Sequence, residues 1–274
     1  MTARRPSGPA RRPPAPGAVR LSVIVPAYAE AHSIGATIAR LRAELGGLDG
    51  GLEVVVVDDG SPDDTAAVAR AAGADQVVEQ RPNRGKGAAV RAGVMVATGR
   101  TIAFTDADLS YSPDQVRALL DQVEAGWDIV VGSRRHPDAE ATHDQPLVRR
   151  VGGRAVNLLT RVVLRGHHPD TQCGLKAFRA DVARVVFSEL RLDGFSFDVE
   201  IFVLAERLEL SLLEVPARVD DGPGSTVRVV RDATRLAADV ARLGWWTRRG
   251  GHPRPGAAAS LPPPAAAGPA GAGH

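Results

Sequence analysis

Short apolar runs and helix-like repeats alternate along the first half of this chain. Leu21–Val25, Glu53–Val57, Gln76–Glu79, Thr101–Thr105 and Asp128–Val131 are rich in β-branched or aromatic residues, and each predicts a strand. Several are apolar at successive rather than alternate positions, as strands covered on both faces are. Helical spacing predicts helices near 33–45, 63–72, 86–97 and 113–124. Ser61 and Ser112 stand where N-caps belong, with Pro62 and Pro113 at the first helical position. The alternation predicts an α/β fold: a Rossmann-like, mostly parallel sheet flanked by helices, with right-handed crossovers. After residue 132 the regularity falls. A last helix, about 227–243, carries Val230, Leu236, Val240 and Leu243 on one stripe, flanked by Arg228, Arg231, Arg235 and Arg242.

Composition trims this picture at both ends. Residues 1–19 are Pro/Arg/Ala-rich and read as a disordered tail, residues 20–243 as a single domain, and 244–274 as a Trp/Arg stretch followed by a Pro/Ala/Gly-rich tail. The net charge is +2, unevenly spread. Five Arg and no acid lie in 1–20, and seven Arg and two Asp in 227–274, which leaves 21–226 eight charges negative. An acidic body with basic ends suits a metal-using centre whose ends meet something anionic. Nucleic acid is a poor partner, because no basic face interleaved with aromatics is present. An anionic membrane surface fits better, since Trp245-Trp246 beside Arg248-Arg249 suits the headgroup level; packing on the domain's own core is the competing reading. The start has no apolar segment of a secretory signal, and no stretch reaches the roughly 18 apolar residues of a spanning helix. Cys173 is the only cysteine, which excludes an internal disulfide. The expected location is the cytoplasm, at the cytoplasmic face of a membrane.

The chemistry-bearing residues sit at predicted strand ends. VVVVDDGS at 54–61 and IAFTDADLS at 102–110 each run from an apolar strand into clustered aspartates. Carboxyl ends of parallel strands open into the ligand crevice, so Asp58, Asp59, Asp106 and Asp108 are expected to share one. Asp106-x-Asp108 is a ligand pair for one hard divalent cation, Mg²⁺ or Mn²⁺, which can clamp a diphosphate. That is the layout of an enzyme using a nucleotide-sugar; the bland alternative is a solvated turn. Pro26, Tyr28 and Glu30 follow the first strand at the crevice lip, Pro26 ending the ladder. A carboxylate after the second strand can accept from a nucleobase or ribose hydroxyl; the bland reading is that Asp59 and Ser61 cap the next helix, and the two are compatible if Asp58 stays free for the ligand. Asn83-Arg84-Gly85-Lys86-Gly87 opens a helix whose glycines allow backbone to approach an anion, with Lys86 adding a point charge. The chain has 34 Lys plus Arg, yet only Lys86 and Lys176 are lysine. Gly132-Ser133-Arg134 ends the fifth strand, and Arg149 and Arg150 are candidate ligands for an acceptor phosphate. Asp170-Thr171-Gln172-Cys173-Gly174-Leu175-Lys176 and Gly194-Phe195-Ser196-Phe197-Asp198-Val199-Glu200 read as tight turns feeding buried elements, with Gln172, Asp198 and Glu200 on the acceptor side.

Together these residues resemble the family 2 inverting glycosyltransferases of the GT-A fold, over about 20–243. DADLS, GSR, DTQCGLKAF and GFSFDVE are similar to the dolichyl-phosphate β-glucosyltransferases and their bacterial polyprenyl-phosphate relatives. The resemblance implies a UDP- or GDP-sugar donor, Mg²⁺ or Mn²⁺, and a lipid-phosphate acceptor. It places Pro26, Tyr28, Glu30 and Asp58, with neighbouring Asp59, at the nucleotide; Asp106 and Asp108 at metal and diphosphate; Lys86 nearby; and Arg134 at a phosphate. Two positions depart from the family pattern. Ala29 replaces the usual Asn, and the usual late Gly-Ser-Lys reads Gly224-Ser225-Thr226, with Arg228 standing in for the charge. UDP-glucose is the favoured donor and GDP-mannose the alternative. A hydroxyl acceptor would need a base, for which Asp198 is the candidate. A non-catalytic nucleotide-sugar-binding module is the reading of another class, against which the intact DxD and FDVE stand.

Overall fold

The computed structural model describes residues 18–139, 164, 168, 170–219, 238–246 and 249. They form one α/β domain. In chain order its elements are β1 (Val19–Ala27), α1 (Ile34–Leu45), β2 (Leu52–Asp58), α2 (Thr65–Ala71), β3 (Gln76–Glu79), α3 (Lys86–Val96), β4 (Gly99–Phe104), α4 (Pro113–Glu124), β5 (Ile129–Ser133), β6 (Lys176–Arg179), α5 (Ala180–Glu189), α6 (Phe197–Arg207) and β7 (Leu212–Pro216). A helical segment at 238–246 follows. The five predicted strands and the four helices predicted before residue 132 all form, with ends shifted by a few residues; of the helix predicted over 227–243, the described residues from 238 are helical, and the helix runs on to 246.

The sheet order is β3-β2-β1-β4-β6-β5-β7. β3, β2, β1 and β4 run parallel, and β6 lies antiparallel between β4 and β5. The apolar runs are continuous because the sheet has a core on each side. Ile24, Val55, Val57, Ile102 and Phe104 face one layer, packed with Val90 and Val94 of α3, Phe187 of α5 and Phe202 of α6. Val23, Val25, Val54, Val56 and Ala103 face the other, with Ile38 and Leu41 of α1 and Leu119 and Leu120 of α4. Period-two alternation splits each strand between the two cores. Phe104 anchors the first, with ring centroids of Phe197, Phe178 and Phe187 at 5.8, 6.2 and 6.5 Å.

Two local expectations change. Pro26 does not end the ladder, since β1 stays in register with β2 through Pro26–Val57 and Ala27–Asp58. The Ile24 carbonyl accepts from Thr105 on the β4 side, so Pro26, two residues on, turns its missing N–H to that side, where pairing with β4 has stopped at Ile24–Phe104. Ser61 does not cap α2, which begins at Thr65 after Asp64. Its hydroxyl instead accepts from the Ala29 N–H at 2.9 Å, tying the loops after β1 and β2 together. Pro113 does occupy the first turn of α4, after Ser112.

The candidate active site

Parallel β1, β2 and β4 all open at the same edge, and their following loops build the site. After β1, Tyr28 is half exposed at the lip. Ala29 is held at φ +57, a left-handed conformation that costs an alanine strain. The Glu30 backbone N–H donates to Thr65 Oγ1 at 2.9 Å, and its carboxylate accepts from the Ser33 hydroxyl at the start of α1. After β2, buried Asp58 accepts from the Ser61 N–H at 2.9 Å. Asp59 turns to the next loop, accepting from the Arg84 and Gly85 N–H groups at 2.9 and 2.7 Å. Burial pushes the Asp59 carboxyl up, against these two N–H donors. The next residue, Lys86, donates to Asp106 Oδ1 just past β4. Two contacts thus join the end of β2 to the end of β4 across β1.

Asp106 is packed as well as paired. A Cβ on Gly174 would lie 2.2 Å from Asp106 Oδ2, so only glycine lets the 170–175 turn approach this carboxylate. Asp108 is exposed, and its Oδ1 accepts from the Ser110 N–H and hydroxyl at 3.0 and 2.8 Å. Leu109 between them has φ +48. Burial lowers the Lys86 ammonium, but Asp106 and Asp198 beside it outweigh that and leave it above its ordinary value. Asp198, in the first turn of α6, is buried and accepts from Lys176 at 2.5 Å. Burial raises its carboxyl against the pull of Lys176 and Lys86. Both lysines of the chain therefore meet at one centre.

Several sequence expectations resolve differently. Gly85 (φ +104) does permit a close approach, but to this chain's own backbone: a Cβ there would lie 2.7 Å from the Asp193 carbonyl, which also accepts from the Ala88 N–H at the start of α3. The loop before α6 thus occupies the face of the helix N-terminus expected to meet an anion. Arg134 donates from Nε and Nη2 to Asp170, both at 2.7 Å, forming a bidentate pair beside Tyr111 and Cys173. Burial lowers the guanidinium, but Asp170 and its neighbours hold it above its ordinary value. Glu200 is fully buried and accepts from the Leu192 and Arg191 N–H groups, so it shapes a loop rather than facing an acceptor. Gln172 is half-buried in the turn before β6. Arg149, Arg150 and Arg228 lie outside the described residues. At the C-terminus Val240 and Leu243 are buried and Trp246 packs against the core, while Trp245 stays half exposed with Arg249 4.4 Å over its ring. Packing on the domain's own core thus holds for Val240, Leu243 and Trp246.

The donor set suits a hard divalent cation. Among the described residues no group of three or more His, Cys, Asp or Glu could hold an ion alone. Asp106 and Asp108 lie two residues apart in the loop after β4, and two carboxylates are the number Mg²⁺ commonly takes when phosphate and water supply the rest. Sequence reasoning missed the Lys176–Asp198 pair and the packing of Gly174 on Asp106; the rarity of lysine was the signal for the first.

The family model described as Glycosyl transferase family 2 matches residues 22–187. A dolichyl-phosphate beta-glucosyltransferase of Drosophila melanogaster is 36% identical over 247 residues, covering 84% of this chain and 75% of the relative. Glycosyltransferase AglD of Haloferax volcanii is 32% identical over 86% of this chain and 39% of its own. Among solved structures, glucosyl-3-phosphoglycerate synthase from Mycobacterium tuberculosis, in complex with Mn²⁺, UDP-glucose and phosphoglyceric acid, superposes with a TM-score of 0.63 at 22% identity, covering 86% of this chain and 81% of that one. That likeness concerns the fold.

Proposed function

We propose, from the premise that this chain belongs to glycosyl transferase family 2, that it moves a hexose, glucose from UDP-glucose, onto a polyprenyl phosphate. The observation that carries this reading is Lys86 on Asp106 with Asp108 adjacent: a cation and two hard carboxylates at the open end of the parallel strands. Relatives named dolichyl-phosphate beta-glucosyltransferase, 28–36% identical, support the lipid-phosphate acceptor and the glucosyl donor.

In this reading residues 20–243 are the catalytic domain. Pro26, Tyr28, Glu30, Asp58 and Asp59 frame the nucleotide. Asp106 and Asp108 would hold Mg²⁺ or Mn²⁺, which supplies charge stabilisation to the departing diphosphate. Lys86 adds a cation at the same place. The acceptor phosphate is already anionic near neutral pH, with a second pKa of about 6, so it attacks C1 without a strong base. Its oxygen forms the new bond to C1 as the bond from C1 to the diphosphate oxygen breaks, and the electron pair leaves with the nucleoside diphosphate. Inversion gives a β-linked product from an α-linked donor. A hydroxyl acceptor would need a proton acceptor in reach, and Asp198 is buried against Lys176, which disfavours that route.

Among the described residues no helix is long and apolar enough to cross a membrane. The lipid is proposed to be met at a cytoplasmic membrane surface, where Trp245 and Arg249 are the exposed candidates. The test is a donor panel of UDP- and GDP-sugars with a short-chain polyprenyl phosphate and Mn²⁺. Lipid-linked glucose from UDP-glucose is the expected product. Transfer from GDP-mannose alone would overturn the donor, and transfer only to a sugar hydroxyl would overturn the acceptor.

A further inference from the structure

We infer that Lys176 and Asp198 are positioning residues for Lys86, forming a fixed ion pair that holds its ammonium at the diphosphate site when Asp106 is engaged elsewhere. This rests on the reading of Lys86 as a diphosphate cation. Four charges alternate at the centre. Asp106 meets Lys86 and Asp198 meets Lys176 at 2.5 Å, and the first turn of α3 that carries Lys86 packs on the first turn of α6 that carries Asp198, since a Cβ on Gly87 would lie 2.8 Å from Phe197 Cβ. The outer pair is rigid. Lys176 is fully buried, donates to the Cys173 carbonyl at 2.7 Å as well as to Asp198, and lies 5.5 Å over the Phe104 ring. Lys176 sits in register with Phe104 on β4, two residues before Asp106. Asp198 is fixed in the first turn of α6. Lys86, by contrast, is 16% exposed and opens α3.

Stability alone does not explain such a pair. Well-packed apolar residues commonly match or exceed a buried ion pair in stability, and the surrounding core is aromatic and aliphatic. Lysine rather than arginine fits the geometry, because a compact ammonium meets a carbonyl, a carboxylate and a ring at once. An arginine-rich chain whose only two lysines face this centre has used that compact charge where the site is built.

The experiment is calorimetric titration of UDP, GDP and the two nucleosides into wild type, Lys176→Met/Asp198→Asn and Asp198→Asn. The double variant leaves the net charge of the cluster unchanged. Its affinity for the nucleoside diphosphate is expected to fall about tenfold while nucleoside affinity and melting temperature stay near wild type. A purely structural pair would leave the diphosphate-to-nucleoside ratio unchanged in the double variant, which would overturn the inference. Asp198→Asn, nearly isosteric, is the second arm should the double variant not fold. Simple Coulomb attraction predicts tighter diphosphate binding on losing this negative charge, whereas lost positioning predicts weaker binding. Tighter binding there also overturns the inference. If wild type binds neither UDP nor GDP, it is the proposed function that fails.

Discussion

Gly174→Ala perturbs the centre without removing any functional group. The added Cβ would lie 2.2 Å from Oδ2, 2.9 Å from Cγ and 3.2 Å from Oδ1 of Asp106. Ordinary contact begins at 3.4 Å, so the carboxylate must retreat by about 1 Å. Gly174 is not among the positive-φ glycines, so alanine brings no backbone strain of that kind. The penalty on folding is that of mild overpacking, about 1–3 kcal/mol, or a fall in melting temperature of very roughly 2–12 °C for a domain of this size. Catalysis suffers more. A misplacement of about 1 Å at a reacting centre costs about a hundredfold, near 2.7 kcal/mol of barrier. Lys86 is bonded to the same carboxylate and moves with it. The assay is metal-dependent sugar transfer at saturating donor, with thermal melting as control. Transfer within about threefold of wild type in a folded variant would refute the role of Asp106.

Three other outcomes follow from single contacts. Ala29→Asn should raise stability by up to about 1 kcal/mol, because asparagine tolerates the left-handed φ of +57 that strains alanine; an unchanged or lower melting temperature contradicts this. Burial pushes the Asp170 carboxyl up, but Arg134 carries it below its ordinary value, so its contribution is complete above the unfolded value of about 3.9 and is lost as pH falls through the folded one. In Arg134→Gln burial is opposed only by the backbone N–H of residue 134 and by Lys176, so the stability gap to wild type, about 3–5 kcal/mol at neutral pH, should narrow on acidification; urea denaturation showing a pH-independent gap contradicts it. Trp245→Ala, with Trp245 half exposed under Arg249, should reduce sedimentation with anionic vesicles at low salt and leave turnover of a water-soluble short-chain acceptor unchanged; equal vesicle binding removes the proposed membrane contact.

β1, β2, β4 and β5 were legible because both faces of the sheet are covered there, which leaves uninterrupted apolar runs such as Val23–Val25 and Val54–Val57, whereas β3 at the sheet edge is only half-buried. β6 was not. Its four residues, Lys176 to Arg179, are all buried, yet charged side chains bracket them and break the apolar pattern. β7 is only half-buried, and Glu214 in its middle blurs the alternation. In the site, clustering of aspartates at strand ends pointed to Asp58 and Asp106, since the parallel topology alone brings those ends together. Partner choice did not follow from it. Arg134 reads as a phosphate ligand, and no local signal shows that Asp170, 36 residues on, pairs with its guanidinium fork. Gly85 reads as ligand-facing until Asp193 is seen against it. Contacts between residues so far apart depend on loop packing, which carries no local periodicity.

In the proposed reaction Asp106 and Asp108 share a cation that grips the donor diphosphate. Anomalous scattering from crystals grown with Mn²⁺ and UDP tests it most directly. The expected result is a manganese peak bonded to Asp106 and Asp108 beside the diphosphate, and no such peak in Asp106→Asn/Asp108→Asn. UDP bound with manganese away from both aspartates, or bound equally in the double variant, would contradict it.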